Sequence, residues 1–252
     1  MAAAALVELV GITRHFAGVH ALKGVDLAVG AGEVVALVGH NGAGKSVLVQ
    51  ILSGVFAPTG GEIRVAGRPV TFASPADARR YGIETIYQTL ALADNLDAPA
   101  NFFLGRELRR AFGFLDKKRM SSEAARALSD LNPNFIDIER PVRQMSGGQR
   151  QAIAIARAIH FDVKLLVMDE PTAALGPHET AQVGELIARL RSQGIGILLI
   201  SHDVRDVMRL ADRIVVLKNG EVVGEVRPAD SSEDEVVDLI IRGRRLPSGS
   251  AA

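Results

Sequence analysis

The chain's 252 residues are enough for one large domain or two small ones, and a hydrophobic share of 48% with only 4% aromatics makes the core aliphatic. Lysines and arginines equal aspartates and glutamates at 29 each, a balance without the basic excess of a nucleic-acid binder. The absence of cysteine excludes disulfides and thiolate metal sites and allows a reducing compartment. Residues 1–8 lack the basic leader of a signal peptide. The longest apolar stretches, such as 195–200, fall far short of the roughly 18 residues that span a bilayer. The chain therefore reads as soluble, with any membrane part supplied by another subunit. Short strands are expected at 6–10, 26–29 and 63–65, separated by glycine-containing turns. A buried strand follows at 34–38 and another short one at 83–87, while 165–168 and 195–200 are continuous apolar runs suited to parallel strands. A hairpin with Asn219-Gly220 at its turn joins 214–217 to 221–226. Helical periodicity marks 44–53, 120–131, 147–159, 179–193, 204–211 and 233–241. Strands alternating with helices predict an α/β fold with a mostly parallel sheet. The helix-free front predicts an antiparallel β piece, and the stretch 91–161, which holds no convincing strand, predicts an inserted helical subdomain.

One turn carries specific chemistry. Gly39-His40-Asn41-Gly42-Ala43-Gly44-Lys45-Ser46 joins the strand at 34–38 to the helix that continues from Val47. Strand, glycine-rich turn and helix in that order form a phosphate loop. Gly42 and Gly44 let the backbone curl so that its N–H groups face anionic oxygens. The helix adds the positive end of its dipole. Lys45 reaches the β- and γ-phosphates and Ser46 offers its hydroxyl to Mg²⁺. His40, inside the loop, is counted with Gly39 and Asn41–Val47 among the ATP-binding residues, either touching phosphate or filling a variable position. The loop implies binding of a nucleoside triphosphate without saying what the energy drives.

Two further segments complete the pattern. The strand at 165–168 ends in Asp169-Glu170. Carboxylates at the end of a buried strand are costly unless they meet a metal or handle a proton. Asp169 suits Mg²⁺, and Glu170 suits a general base that orients attacking water. Ser146-Gly147-Gly148-Gln149 opens a strongly helical run, a hydroxyl and two glycines that make a second anion site. It lies 24 residues before Glu170, counting 146 to 170.

From residue 6 to about 243 the chain resembles the ATP-binding cassette family, a P-loop NTPase group. Gly39–Ser46 matches its Walker A loop, 165–170 its Walker B strand and Ser146–Gln149 its signature. The resemblance implies that Gln88 touches Mg²⁺ beside Ser46 and Asp169, that His202 is the switch histidine near the γ-phosphate, and that Phe16, with Ala21, meets the nucleotide. Phe16 lies 29 residues before Lys45, where the family places an aromatic on adenine. Two departures stand out. Met145 replaces the usual leucine before Ser146, a mild, volume-conserving swap. Gly176 stands where many members carry an aspartate that couples two sites. His15, His20, His160 and His178 show no metal-ligand spacing and receive no role.

The resemblance implies one cassette over 1–243, built from a core at 1–90 and 162–226, the helical part at 91–161 and a C-terminal helix within 227–243. A flexible tail follows at 244–252. It further implies a head-to-tail pair, either a homodimer or a partnership with a second cassette. ATP then lies between the Walker A loop of one subunit and Ser146–Gln149 of the other. Segments 88–96, 101–107 and 51–55 are similar to ATPases of the ribose, xylose and fructose import group. That implies a peripheral place on the cytoplasmic face of the membrane, an integral permease, and a periplasmic sugar-binding protein that delivers the solute. Two other classes stay open: a cassette ATPase of the repair or translation type, and a weakly hydrolysing ATP-binding regulator.

Overall fold

A computed structural model describes residues 5–131, 137–173 and 176–243, with His178 as backbone only. In chain order the elements are β1 (Ala5–Phe16), β2 (Val19–Gly30), β3 (Val34–Val38), α1 (Lys45–Leu52), β4 (Gly60–Val65), β5 (Arg68–Val70), α2 (Pro75–Arg80), β6 (Ile83–Ile86), α3 (Ala98–Phe102), α4 (Lys117–Leu131), α5 (Gly147–Ile159), β7 (Leu165–Asp169), α6 (Pro177–Ser192), β8 (Gly196–Ile200), α7 (Val204–Leu210), β9 (Arg213–Lys218), β10 (Glu221–Val226) and α8 (Glu233–Arg242).

The all-apolar runs become inner strands because a strand covered on both faces has no polar side to show. β3 and β8 are buried at every position. They belong to a six-stranded sheet ordered β10-β9-β3-β8-β7-β6, parallel except for the β9–β10 hairpin. Because β3, β6, β7 and β8 run the same way, the turns that follow them all leave one edge, where α/β sheets place their ligands. A second, antiparallel sheet is ordered β2-β1-β4-β5. Ile12, Leu22 and Val25 from that sheet share a core with Leu37 of β3 and Leu48 of α1. The opposite face of the parallel sheet is covered by α5 and α6, with Ile155, Ile187 and Leu190 packed among Met168 and Leu199.

Helices α3, α4 and α5 gather a core of their own around Phe102, Phe103, Leu128 and Ile153. A polar pin in it is Asn101, fully buried. The Asn101 carbonyl accepts from Ala93 N at 2.7 Å, and its amide donates to the carbonyls of Ala93 at 3.0 Å and Asp97 at 3.0 Å. A buried amide must find such partners or lose its hydration uncompensated.

Most expected elements are present, with informative differences at the front. β1 and β2 run for 12 residues each, well beyond 6–10 and 26–29. Their pairing shifts register between Leu9 and Ile12 and again beyond it. Each shift breaks the two-residue alternation that makes a strand legible. β5, α2 and α3 are too short to show a period of their own. The Asn219-Gly220 turn has positive φ at both positions, +53° and +84°, the geometry that favours Asn-Gly in two-residue hairpins. The expected tail at 244–252 lies outside the described residues.

Candidate functional site

The loop 39–46 is shaped by what presses on it from behind. Gly39 has φ +153°, and a Cβ there would stand 2.1 Å from the Leu217 carbonyl. Gly44 has φ +109°, and a Cβ would stand 2.8 Å from the Ala21 carbonyl. The Gly220 amide donates to the Ala43 carbonyl at 2.9 Å, and the Ala43 amide donates to His40 O at 3.1 Å. The loop is thus clamped between the start of β2 and the β9–β10 turn. The Lys45 ammonium donates to the carbonyls of Gly39 at 2.6 Å and His40 at 3.1 Å, inside the curl. Burial lowers its pKa, while Glu170 and Asp169 pull it back up.

A cleft of about 650 Å³ opens at this sheet edge. Its walls bring together Ala21, Asn41, Gly42, Gly44, Lys45, Ser46, Val47, Gln88, Asp169 and Glu170. Asp169 ends β7, and burial followed by the adjacent Glu170 raises its pKa against the opposing pull of Lys45. Asp169 and Glu170 face Lys45 here, while the other ammonium in the cleft wall, Lys23, is paired with Glu221 at 3.7 Å. The available donors, the Ser46 hydroxyl, the Gln88 amide oxygen and the Asp169 carboxylate, are hard oxygens that fit Mg²⁺. Among the described residues no cluster of three His, Asp or Glu could hold a metal alone. A Mg²⁺ at this place would therefore complete its shell with phosphate and water oxygens.

Glu170 is held tightly. Its backbone is left-handed at φ +54°, and its N–H donates to Ile200 O at 2.9 Å. His202, just beyond β8, sets Nδ1 2.8 Å from Glu170 Oε2. Glu170 is the shared wall between this cleft and a neighbouring one that holds Ser201, His202 and Asp203.

The other expected residues stand elsewhere. Phe16 lies outside the cleft walls, edge-on to Phe56 at 5.5 Å and 4.6 Å beneath the Arg14 guanidinium. Ser146 caps α5: its Oγ accepts from Gln149 N at 3.2 Å, and the Gln149 side chain accepts from Ser146 N at 3.0 Å. Gln149 also accepts from Arg140 at 2.7 Å. A Cβ on Gly147 would meet nothing within 4 Å, and one on Gly148 would face Glu179. None of Ser146–Gln149 lines the Lys45 cleft.

Several participants were not legible beforehand. His20, Lys23 and Asn219 line the cleft. Lys23 and His20 carry no motif, and Asn219 signals only its turn. Gln151, buried on α5, donates to Pro171 O and so links this helix to the turn after Glu170. Arg157, further along α5, donates to the carbonyls of Leu90 at 3.3 Å and Ala91 at 3.2 Å. Both of those residues are left-handed, at φ +56° and +47°, and together they form the bend just after Gln88.

A family model described as "ABC transporter" matches residues 22–173. The chain is 43% identical to a xylose/arabinose import ATP-binding protein of Sulfolobus acidocaldarius, over 93% of each chain. It is 44% identical to a ribose import ATP-binding protein of Rubrobacter xylanophilus over 96% of its own length. It spans 48% of that relative, about half its length. A nucleotide-free ATP-binding cassette from an ABC transporter shares the fold at TM-score 0.79, with 23% identity over 95% of this chain and 98% of the other. A dimeric cassette in a post-hydrolysis state bound to ADP and Pi superposes at TM-score 0.75, with 27% identity over 88% and 98%.

Proposed function

The chain belongs to the ABC transporter family, as an ATPase cassette, and from that membership we propose that it powers import of a monosaccharide through a separate membrane permease. The support is the naming of similar proteins as import subunits for xylose/arabinose and for ribose. No helix among the described residues is long and apolar enough to cross a membrane. In this reading the permease is a separate polypeptide, and this subunit docks peripherally on its cytoplasmic side. A periplasmic sugar-binding protein hands over the solute. Residues 1–243 act as one cassette.

In this reading Lys45 and the amides of the loop 39–46 neutralise the triphosphate of ATP. Ser46, Gln88 and Asp169 are the residues that would hold Mg²⁺, which would supply charge neutralisation to the triphosphate. Glu170 aligns the attacking water, and His202 fixes the orientation of that carboxylate. Positioning and electrostatics carry the rate, because phosphoryl transfer leaves little covalent chemistry for the protein. Phe16 is the aromatic that would stack on the adenine.

The single structural observation that carries the ATP-hydrolysing part of the proposal is the cleft that brings Lys45, Gln88, Asp169 and Glu170 to one sheet edge. Ser146–Gln149 stand away from it, which suits a role toward ATP on a second copy or a paired cassette. ATP then binds the closed pair better than the open one, and that difference in affinity does the work. The test is light scattering on the Glu170→Gln chain with and without Mg-ATP, followed by capture of partners from native membranes and pentose uptake in cells lacking the chain. A nucleotide-dependent dimer, a captured multi-span permease and impaired uptake support the proposal. A monomer at saturating ATP sinks the paired site, and unchanged uptake sinks the sugar.

A further inference from the structure

Between α3 and α4 the chain makes a small hairpin. Arg109 bridges Leu115, Arg110 N donates to Phe114 O at 2.7 Å, and Asp116 N donates to Leu108 O at 2.8 Å. The Arg110 guanidinium closes the base on Asp116 at 2.7 Å. Leu108 roots the hairpin in the apolar core of α3, α4 and α5. At the tip, Phe112 is 97% exposed and Phe114 73%. They are the only exposed phenylalanines among the described residues. Phe112 is also left-handed, at φ +63°, followed by Gly113 at +81°. A pinned turn that holds two rings in solvent, against the hydrophobic effect, marks an interaction surface.

Charge identifies the partner. From 107 to 119 there are five basic residues and two acidic ones, a net of +3 in a chain whose net charge is zero. Arg110 is tied to Asp116 and Arg119 to Glu123. Lys117 and Lys118 are exposed, with no ion pair among the described residues. Aromatic rings at a tip with a cationic collar behind them match a bilayer interface: rings settle at headgroup depth, and lysines meet anionic lipid. We propose that this hairpin is a membrane-surface anchor that seats Phe112 and Phe114 in an anionic leaflet.

The test uses the full chain and pure lipid. Co-sedimentation with phosphatidylglycerol vesicles should exceed that with phosphatidylcholine vesicles and fall at high salt. Lys117→Gln and Lys118→Gln should each weaken it roughly fivefold. Phe112→Ser with Phe114→Ser should weaken it at least about tenfold. The exposed tip makes these variants safe for folding, and ATP hydrolysis in solution should be unchanged because the hairpin lies outside the cleft. The chain has no tryptophan, so Phe112→Trp provides a single reporter whose emission should shift to the blue on anionic vesicles. Absence of binding to anionic vesicles overturns the proposal, as does binding that survives the double phenylalanine change. A reporter that responds only to membranes containing the permease overturns it too, in favour of a protein contact.

Discussion

Replacing His202 with alanine removes the side chain that sits 2.8 Å from Glu170 Oε2. Glu170 has already taken a left-handed backbone, a cost of order 1–3 kcal/mol that its surroundings must offset. Its amide is fixed on Ile200 O at 2.9 Å, so the carboxylate can swing only about its own side-chain bonds. His202 is the restraint on that swing. A hydrogen bond to a charged group contributes about 1.5–3 kcal/mol, which corresponds to roughly 10- to 150-fold in turnover. The His202 side chain is 72% exposed, so water competes and the lower end, about 10- to 30-fold, is expected. Glu170→Gln should cost more, about 10²- to 10⁴-fold, because the proton acceptor itself is lost. If His202 acts through Glu170, the double variant should turn over no more slowly than Glu170→Gln alone. The assay is phosphate release at saturating Mg-ATP, with single-turnover measurements to separate chemistry from product release. KM should stay nearly constant. Losses that multiply in the double variant, or a His202→Ala chain within about twofold of the parent, would refute the reasoning.

Three other perturbations address the scaffold. Gly39→Ala drives a methyl into the Leu217 carbonyl and should cost at least about 2 kcal/mol in urea unfolding. Gly42→Ala, at φ +80° with open space around its Cβ, should cost only the backbone strain of about 1–2 kcal/mol; equal losses at the two glycines would contradict the clamp. Asp169→Asn should melt higher than the parent at neutral pH and lose Mg-dependent hydrolysis. The sign follows from its raised pKa: the fold disfavours the ionised form, so its contribution is intact below the ordinary carboxylate range and is lost as pH rises through the folded value. The difference in melting should therefore close as pH falls into that range, and identical melts at neutral pH would count against burial of this carboxylate. Asn101→Ala strands the Ala93 amide and several carbonyls, and should cost about 2–4 kcal/mol with faster hydrogen exchange at Ala93. A loss below about 0.5 kcal/mol would mean that water replaces the amide.

The buried strands, the phosphate loop and the hairpin turn were legible from the chain alone because each rests on local physics. A run such as 34–38 can only be covered on both faces, Gly-rich turns permit conformations other residues resist, and Asn-Gly suits positive φ at two successive positions. The start of α5 was readable too, but the reciprocal cap between Ser146 and Gln149 was not: the chain alone suggested a second anion site there. Tertiary structure alone decided the rest. His20, Lys23 and Asn219 enter the cleft only because β2 and the β9–β10 turn fold over the loop. Arg157 meets the bend after Gln88 across more than sixty residues of chain. The long front ribbon was obscured by its own register shifts. Phe112 and Phe114 stand in solvent only because the hairpin turns them outward. Period and turn chemistry are written within a few neighbouring residues, whereas proximity between distant segments arises only when sheets and helices pack.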